Sequence, residues 1–365
     1  MKELLQHLGT ALFVAVACQT VFALAEDSCP VSSDAEAASA ADDQEAATIP
    51  ACSFEDSLSQ TPFVAETGRK RCVCVAKQAC RTWTIDYRVR QLVNSNTSYE
   101  FGTSPATVPG WTPLSKLDWS LDSTWHGLQV GLEKPNWDIH FEWLTPIDQN
   151  ISGSMADYDW INPPGNTVDS LTLSSLRWND GQMLDLGGEF KLTSGPIEIW
   201  PLAGFRFQRF NMTASGIDYI VPPTGPSLQY QGVDVISFNQ QYYQCYVGGQ
   251  LRKSLCCRGT PVALTLEGDW AATWGYNVDH HLVRAGGDRY TMQNTSGDTF
   301  HFALTAEAPL SRRLNLGFQV DHMVIRTTGT HRMDWQSQGL NMTWTNGVLA
   351  KSSQTSLTAF LRARF

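Results

Sequence analysis

From residue 26 to residue 66 the chain has no lysine or arginine, against ten acidic residues. That stretch is rich in Ala and Ser and nearly bare of aromatics. It cannot bury enough apolar surface to fold alone, and disorder is expected there. After the first 25 residues no apolar run approaches the roughly 20 residues that a membrane helix needs. Charge of either sign is sparse, at 17% of residues. Zinc-finger spacing is missing too: the cysteine clusters at 72–80 and 256–257 have no companion histidines at suitable distances, so no metal site is expected. The formal charge of −10 belongs to the tail, because from residue 67 onward 25 acidic residues balance 25 basic ones. Nothing in that balance points to a nucleic-acid partner.

What is abundant is aromatic: 13 Trp and 16 Phe in 365 residues. Few charges, many aromatics and no long apolar run fit a membrane β-barrel better than a helical membrane protein. Residues 1–25 read as a signal peptide, with Lys2 at the start, an apolar run over 11–17 and Ala23-Leu24-Ala25 as a cleavage site. Residues 26–81 form an acidic, cysteine-containing tail, and 82–365 the barrel. Cleavage after Ala25 leaves eight cysteines of nine, an even number that favours disulfides in an exported protein. Bonds among these cysteines, or to other envelope proteins, are both open. Such a composition bears a weak likeness to the cysteine-rich outer-membrane proteins of chlamydia-like bacteria.

The barrel reading rests on alternation. Over 262–281 the even positions are apolar (Val262, Leu264, Leu266, Trp270, Trp274, Tyr276, Val278), and the odd ones small or polar (Thr265, Glu267, Asp269, Thr273, Asn277, Asp279, His281). Side chains on a strand alternate faces. A two-faced strand this long is expected where lipid lies outside and a polar lumen inside. The pattern begins at Thr82 and recurs to Phe365, predicting an all-β, transmembrane antiparallel β-barrel of about ten strands. Short turns near 134–136, 193–196, 256–261 and 307–312 are expected at the periplasmic end. Long loops, among them 146–168 with Asp157 and Asp159, are expected outside the cell. Glu267, Asp269, Asp138 and Glu142 are expected to be lumen charges paired with Arg88, Arg206 or Arg252.

Two pairs at i and i+2 then converge on one rim: Asp157 with Asp159, and Asp279 with His281. Close carboxylates repel, so one tends to keep its proton or to pair with a base. A histidine held among carboxylates can take a proton from water. His280 is expected to point outward.

These pieces resemble the omptins, outer-membrane endoproteases built as ten-stranded barrels. The matching residues are Ser115-Lys116-Leu117-Asp118-Trp119, Met155-x-Asp157-x-Asp159-Trp160 and Asp279-x-His281, in the same order along the chain. The resemblance covers about 82–365. It implies that Asp157 and His281 flank the attacking water, that Asp279 holds the imidazole, and that Asp159 is the partner of Asp157. It implies a polypeptide substrate at the extracellular mouth, outer-membrane lipid around the barrel and a possible need for lipopolysaccharide, with no other cofactor. The family cuts beside basic residues. Its pocket acid two residues before Asp279 is Asn277 here, and no acid is in register near Asn96 or Thr97, which leaves that preference open. The rival reading is a non-catalytic barrel: a small porin or a structural envelope protein.

Overall fold

The computed structural model describes residues 82–102, 106, 113–160, 167–193, 195–257, 260–284 and 288–365. The expected signal peptide and tail (1–25 and 26–81), with Cys72, Cys74 and Cys80, lie outside them. Every strand belongs to one antiparallel sheet of fourteen: β1 (Thr82–Leu92), β2 (Asn96–Phe101), β3 (Ser115–Ser120), β4 (Thr124–Lys134), β5 (Trp137–Pro146), β6 (Asn150–Asp159), β7 (Ser170–Phe190), β8 (Glu198–Val221), β9 (Gly225–Pro226), β10 (Asp234–Cys257), β11 (Thr260–His281), β12 (Arg289–Pro309), β13 (Leu314–Trp335) and β14 (Leu340–Arg364). The unit Arg81–Lys253 with Ala263–Phe365 carries the candidate site, and Ser254–Val262 falls outside that unit.

The expected count of ten and the observed fourteen differ by four short segments. One is the two-residue β9. The other three arise because β1/β2, β3/β4 and β5/β6 are each one long strand interrupted at the same level. The interruptions are stitched together: Leu121 N–H donates to Ser95 O at 2.9 Å, and Ser152 N–H to Asp122 O at 2.7 Å. Asn94 turns the first of them with φ 49, a left-handed conformation that Asn tolerates better than most residues. Below the seam β1, β4 and β5 continue the ladder; above it β2, β3 and β6 do. β1 pairs with β14, and β7 pairs with both β6 and β8.

The strands lie between two solvents. A band of large apolar side chains is exposed on the outer face: Trp83, Ile85 and Tyr87 on β1, Phe141 and Trp143 on β5, Trp270 and Trp274 on β11, Phe300 and Phe302 on β12. Inside that band Glu142, Asp138 and Asp269 pair with arginines as expected, whereas Glu267 meets Gln250 and His301 instead. Arg88 and Arg90 hold Glu142 at 3.0 and 2.9 Å, Arg252 holds Asp138 at 2.9 Å, and Arg206 holds Asp185 at 2.9 Å and Asp269 at 3.3 Å. Beyond the band the rule inverts, because water now lies outside. Leu117, Trp119, Trp125, Trp178, Phe210, Met212 and Phe238 all turn inward and form one buried cluster. The switch shows within β8, whose inward series runs Arg206, Gln208, Phe210, Met212. Cys245 is an exposed free thiol, and Cys256 is disulfide-bonded.

Candidate active site

Asp157 and Asp159 are on the last turn-free stretch of β6, not in a loop as their surroundings in the sequence predict. The ladder to β3 sets them there: Asp157 pairs with Leu117 and Asp159 with Ser115. Asp279 and His281 end β11, opposite Thr291 and Arg289 of β12. Alternation buries Asp279 and His281 on the inner face, while His280 between them turns the other way and stacks on Tyr290 at 4.0 Å.

β6 and β11 are not neighbours in the sheet, so their residues can meet only across the interior. Arg284, three residues past His281, makes that crossing: its guanidinium lies 3.7 Å from Asp157 Oδ2. Arg284 and Arg289 together act on Asp157, Asp279 and His281, which makes one electrostatic cluster of groups from two walls.

Asp157, Asp279 and His281 are all perturbed, and burial leads in each. The Asp157 carboxyl is pushed up to about 6 by burial and by the neighbouring Asp159 charge, against the pull of Arg284, Arg289 and Ser115. Burial also raises Asp279 to about 6, with the Thr291 hydroxyl, Arg289 and Arg284 opposing. His281 is held well below its usual range by burial, then by Arg289 and Arg284, so its ring is neutral at pH 7. Its Nε2 is 3.3 Å from Asp279 Oδ1, and the Thr291 hydroxyl faces the same carboxylate, though neither contact has full hydrogen-bond geometry. Asp157 Oδ1 is likewise buried without a partner. Buried polar atoms are normally satisfied. Here several are left open at one mouth, as a site built to receive polar ligand atoms would leave them.

One step deeper on the same face the groups are neutral. Asn277 Nδ2 donates to Gln293 Oε1 at 2.9 Å, and Gln293 lies 3.4 Å from His331 Nδ1. Phe101 stacks on His331 at 4.2 Å. Burial drives the His331 ring down to about 3, so this floor carries no charge at neutral pH. Thr97 is bound to Gln240 at 2.7 Å and supplies no acid either.

A second acid–histidine cluster lies inside the lipid band. Glu267, Asp269 and His301 bring one ligand atom each within 4.8 Å of one another. His301 Nδ1 is 2.7 Å from Asp269 Oδ2, Arg206 closes on the same carboxylate, and Gln250 donates to Glu267 at 2.7 Å. None of these atoms is among the buried ones without a partner. The oxygens a cation would need are engaged by a guanidinium and an imidazole.

The sequence did not single out Arg284, Arg289 or Thr291. The signal was available for Arg289 and Thr291: once β11 and β12 form a hairpin, register places them opposite His281 and Asp279. The polar composition of 282–290 concealed Arg289 by reading as loop, while Thr291 fell at the start of the next expected strand.

The sequence model of the omptin family matches residues 109–300. The chain belongs to the omptin family. Its place is accordingly the bacterial outer membrane, its architecture a β-barrel, and its activity that of an outer-membrane endopeptidase. Among solved structures it is similar to the outer membrane protease OmpT from Escherichia coli, at 16% identity, with 78% of this chain and 97% of that one covered and a TM-score of 0.65, which supports the fold. An outer membrane channel from Pseudomonas putida F1 aligns at 12% identity over 83% of this chain and 100% of that one, with a TM-score of 0.24, too low to bear on the fold. Among curated proteins none matches.

Proposed function

We propose that this omptin cleaves peptide bonds with a water held between Asp157 and His281 at the mouth of a ten-stranded barrel. The ten strands are the inner ring of pairings: β1 with β14, β7 with β8, and the interrupted strands counted once. The observation that carries the reading is the contact of Arg284 with Asp157, which brings the end of β11 against β6 from across the interior.

The chemistry follows from protonation states. A neutral His281 can accept the proton that water gives up as it attacks the carbonyl carbon. Asp157, on the opposite wall, holds the other side of the water once it is ionised. The neighbouring Asp159 charge keeps that carboxylate from ionising easily. Asp279, close behind the ring, favours the imidazolium that forms. Asp157, Asp159, Asp279 and His281 are thus assigned to the reaction. The deeper Glu267/Asp269/His301 cluster is assigned to the wall, because its polar atoms already satisfy one another.

The partners assigned here are a polypeptide at the mouth and lipid around the band, with lipopolysaccharide as the lipid to test first. The uncharged floor formed by Asn277, Gln293 and His331 argues against a strong preference for Lys or Arg at that subsite. The test is cleavage of a broad peptide library by the refolded protein, with and without lipopolysaccharide. Cleavage that disappears in His281→Ala and in Asp157→Ala supports the assignment. Cleavage that survives both, in folded protein, overturns it. The rival porin reading is disfavoured by the aromatic cluster that fills the interior above the lipid band.

A further inference from the structure

Arg289 is only 8% exposed, yet its guanidinium has no ion pair and no hydrogen bond among the described residues, and its Nε is buried without a partner. An unpaired buried cation is costly, so its retention needs a reason. Its location supplies one. Arg289 is directly opposite His281 across the β11–β12 ladder and on the same buried face. On its other side it pairs with Trp335 of β13, and the guanidinium sits 5.7 Å over that ring. An aromatic face can steady a guanidinium while leaving its in-plane N–H donors free.

We infer that Arg289 is a further catalytic residue of this omptin, whose free N–H groups bind the oxyanion of the tetrahedral intermediate. The inference rests on the proposed water between Asp157 and His281. In that step the water oxygen bonds to the carbonyl carbon, its proton passes to His281, and the carbonyl π pair moves onto oxygen as a full negative charge. Arg289 binds that oxygen. When the pair returns, the C–N bond breaks and the amine leaves with the proton from His281. Donors fixed in a buried site act most strongly on charge that appears only during the reaction. Asp157, Asp159 and Asp279 explain why the cation is tolerated before substrate arrives, since all three attract it without touching it.

The experiment uses refolded full-length protein and a fluorogenic peptide chosen from the cleaved library. Arg289→Ala and Arg289→Lys should lower kcat on the order of 10²–10³-fold, with KM changed by less than roughly threefold. A phosphonate analogue of the same peptide should lose affinity in step with kcat/KM, because it mimics the oxyanion. Added guanidinium should restore part of the Arg289→Ala rate and none of the His281→Ala rate. If Arg289→Ala does not fold, Arg289→Lys decides by the same phosphonate comparison. A raised KM with unchanged kcat would assign Arg289 to substrate binding and overturn the inference. So would unchanged kcat/KM, while His281→Ala remained dead and the hydrolytic reading stood. If His281→Ala were as active as wild type, the hydrolytic reading itself would fall, and the role of Arg289 with it.

Discussion

Trp119 of β3 and Phe238 of β10 stack at 4.6 Å with their rings 12° from parallel, although their strands share no hydrogen bond. Tyr99 joins the same stack at 5.9 Å from Phe238. The pair spans the interior between the lumen charges below and the candidate site above. A large stacked pair in a buried cluster narrows the interior at that level.

The protein is therefore expected to carry no current. In planar lipid bilayers the wild type should show no open-channel steps. Phe238→Ala should destabilise it by about 3–5 kcal/mol, as aromatic truncation in a packed core does, seen as a lower midpoint for loss of heat-modifiable mobility on a gel. A steady ohmic conductance in wild type would restore the porin reading.

Loss of either wall of the site should remove cleavage while the barrel survives. His281→Ala and Asp157→Ala should each abolish cleavage of the library and keep the heat-modifiable shift. His280→Ala should change kcat/KM less than about threefold, because that ring stacks outward on Tyr290. An inactive His280→Ala beside an active His281→Ala would place the register of β11 off by one.

Asp279 should lower stability at the pH where the enzyme works. Its carboxyl rises from 3.8 to about 6 on folding, so the folded chain binds the extra proton between those values. Stability from this group is then greatest below about pH 4, falls as pH rises through about 6, and stays low above. Asp279→Asn should add on the order of 2–3 kcal/mol at pH 8 and little at pH 4, while lowering kcat. Urea titrations at the two pH values measure it, and equal effects at both would refute it. Wild-type activity should climb with pH through about 6, as Asp157 and Asp279 ionise.

Charge at the floor should reset specificity. Asn277→Asp replaces the amide that donates to Gln293 by a carboxylate facing the same cleft. Cleavage beside Lys or Arg should rise at least several-fold relative to neutral residues in the same library, and an unchanged profile would show that this floor does not contact the substrate.

Alternation made much of this legible. The parity of 262–281 fixed which side chains of β11 face inward, and the charges at 138, 142 and 269 found arginines on the same inner face. The family resemblance named the four site residues. Three features were hidden, each for a physical reason. Asp157 and Asp159 read as loop because β6 has little apolar alternation, and its strand is imposed by the ladders to β3 and β7. The strands near 332–348 read as loop because above the lipid band neither face must be apolar on the outside. The Trp119–Phe238 stack was invisible because an aromatic at alternate positions looks the same whether it meets lipid or a packed interior.

The outward aromatics of β11 end at Tyr276, while the ladder continues to His281. At about 3.3 Å per residue, with the tilt usual for such strands, His281 stands roughly 12–14 Å above the level of Tyr276. A polypeptide anchored in the same membrane must extend about four residues before its backbone reaches the water. Short stalks on the cell's own surface lie beneath that height, while chains arriving from the medium meet the site first. Reach alone would separate foreign proteins from neighbours before any side chain is read.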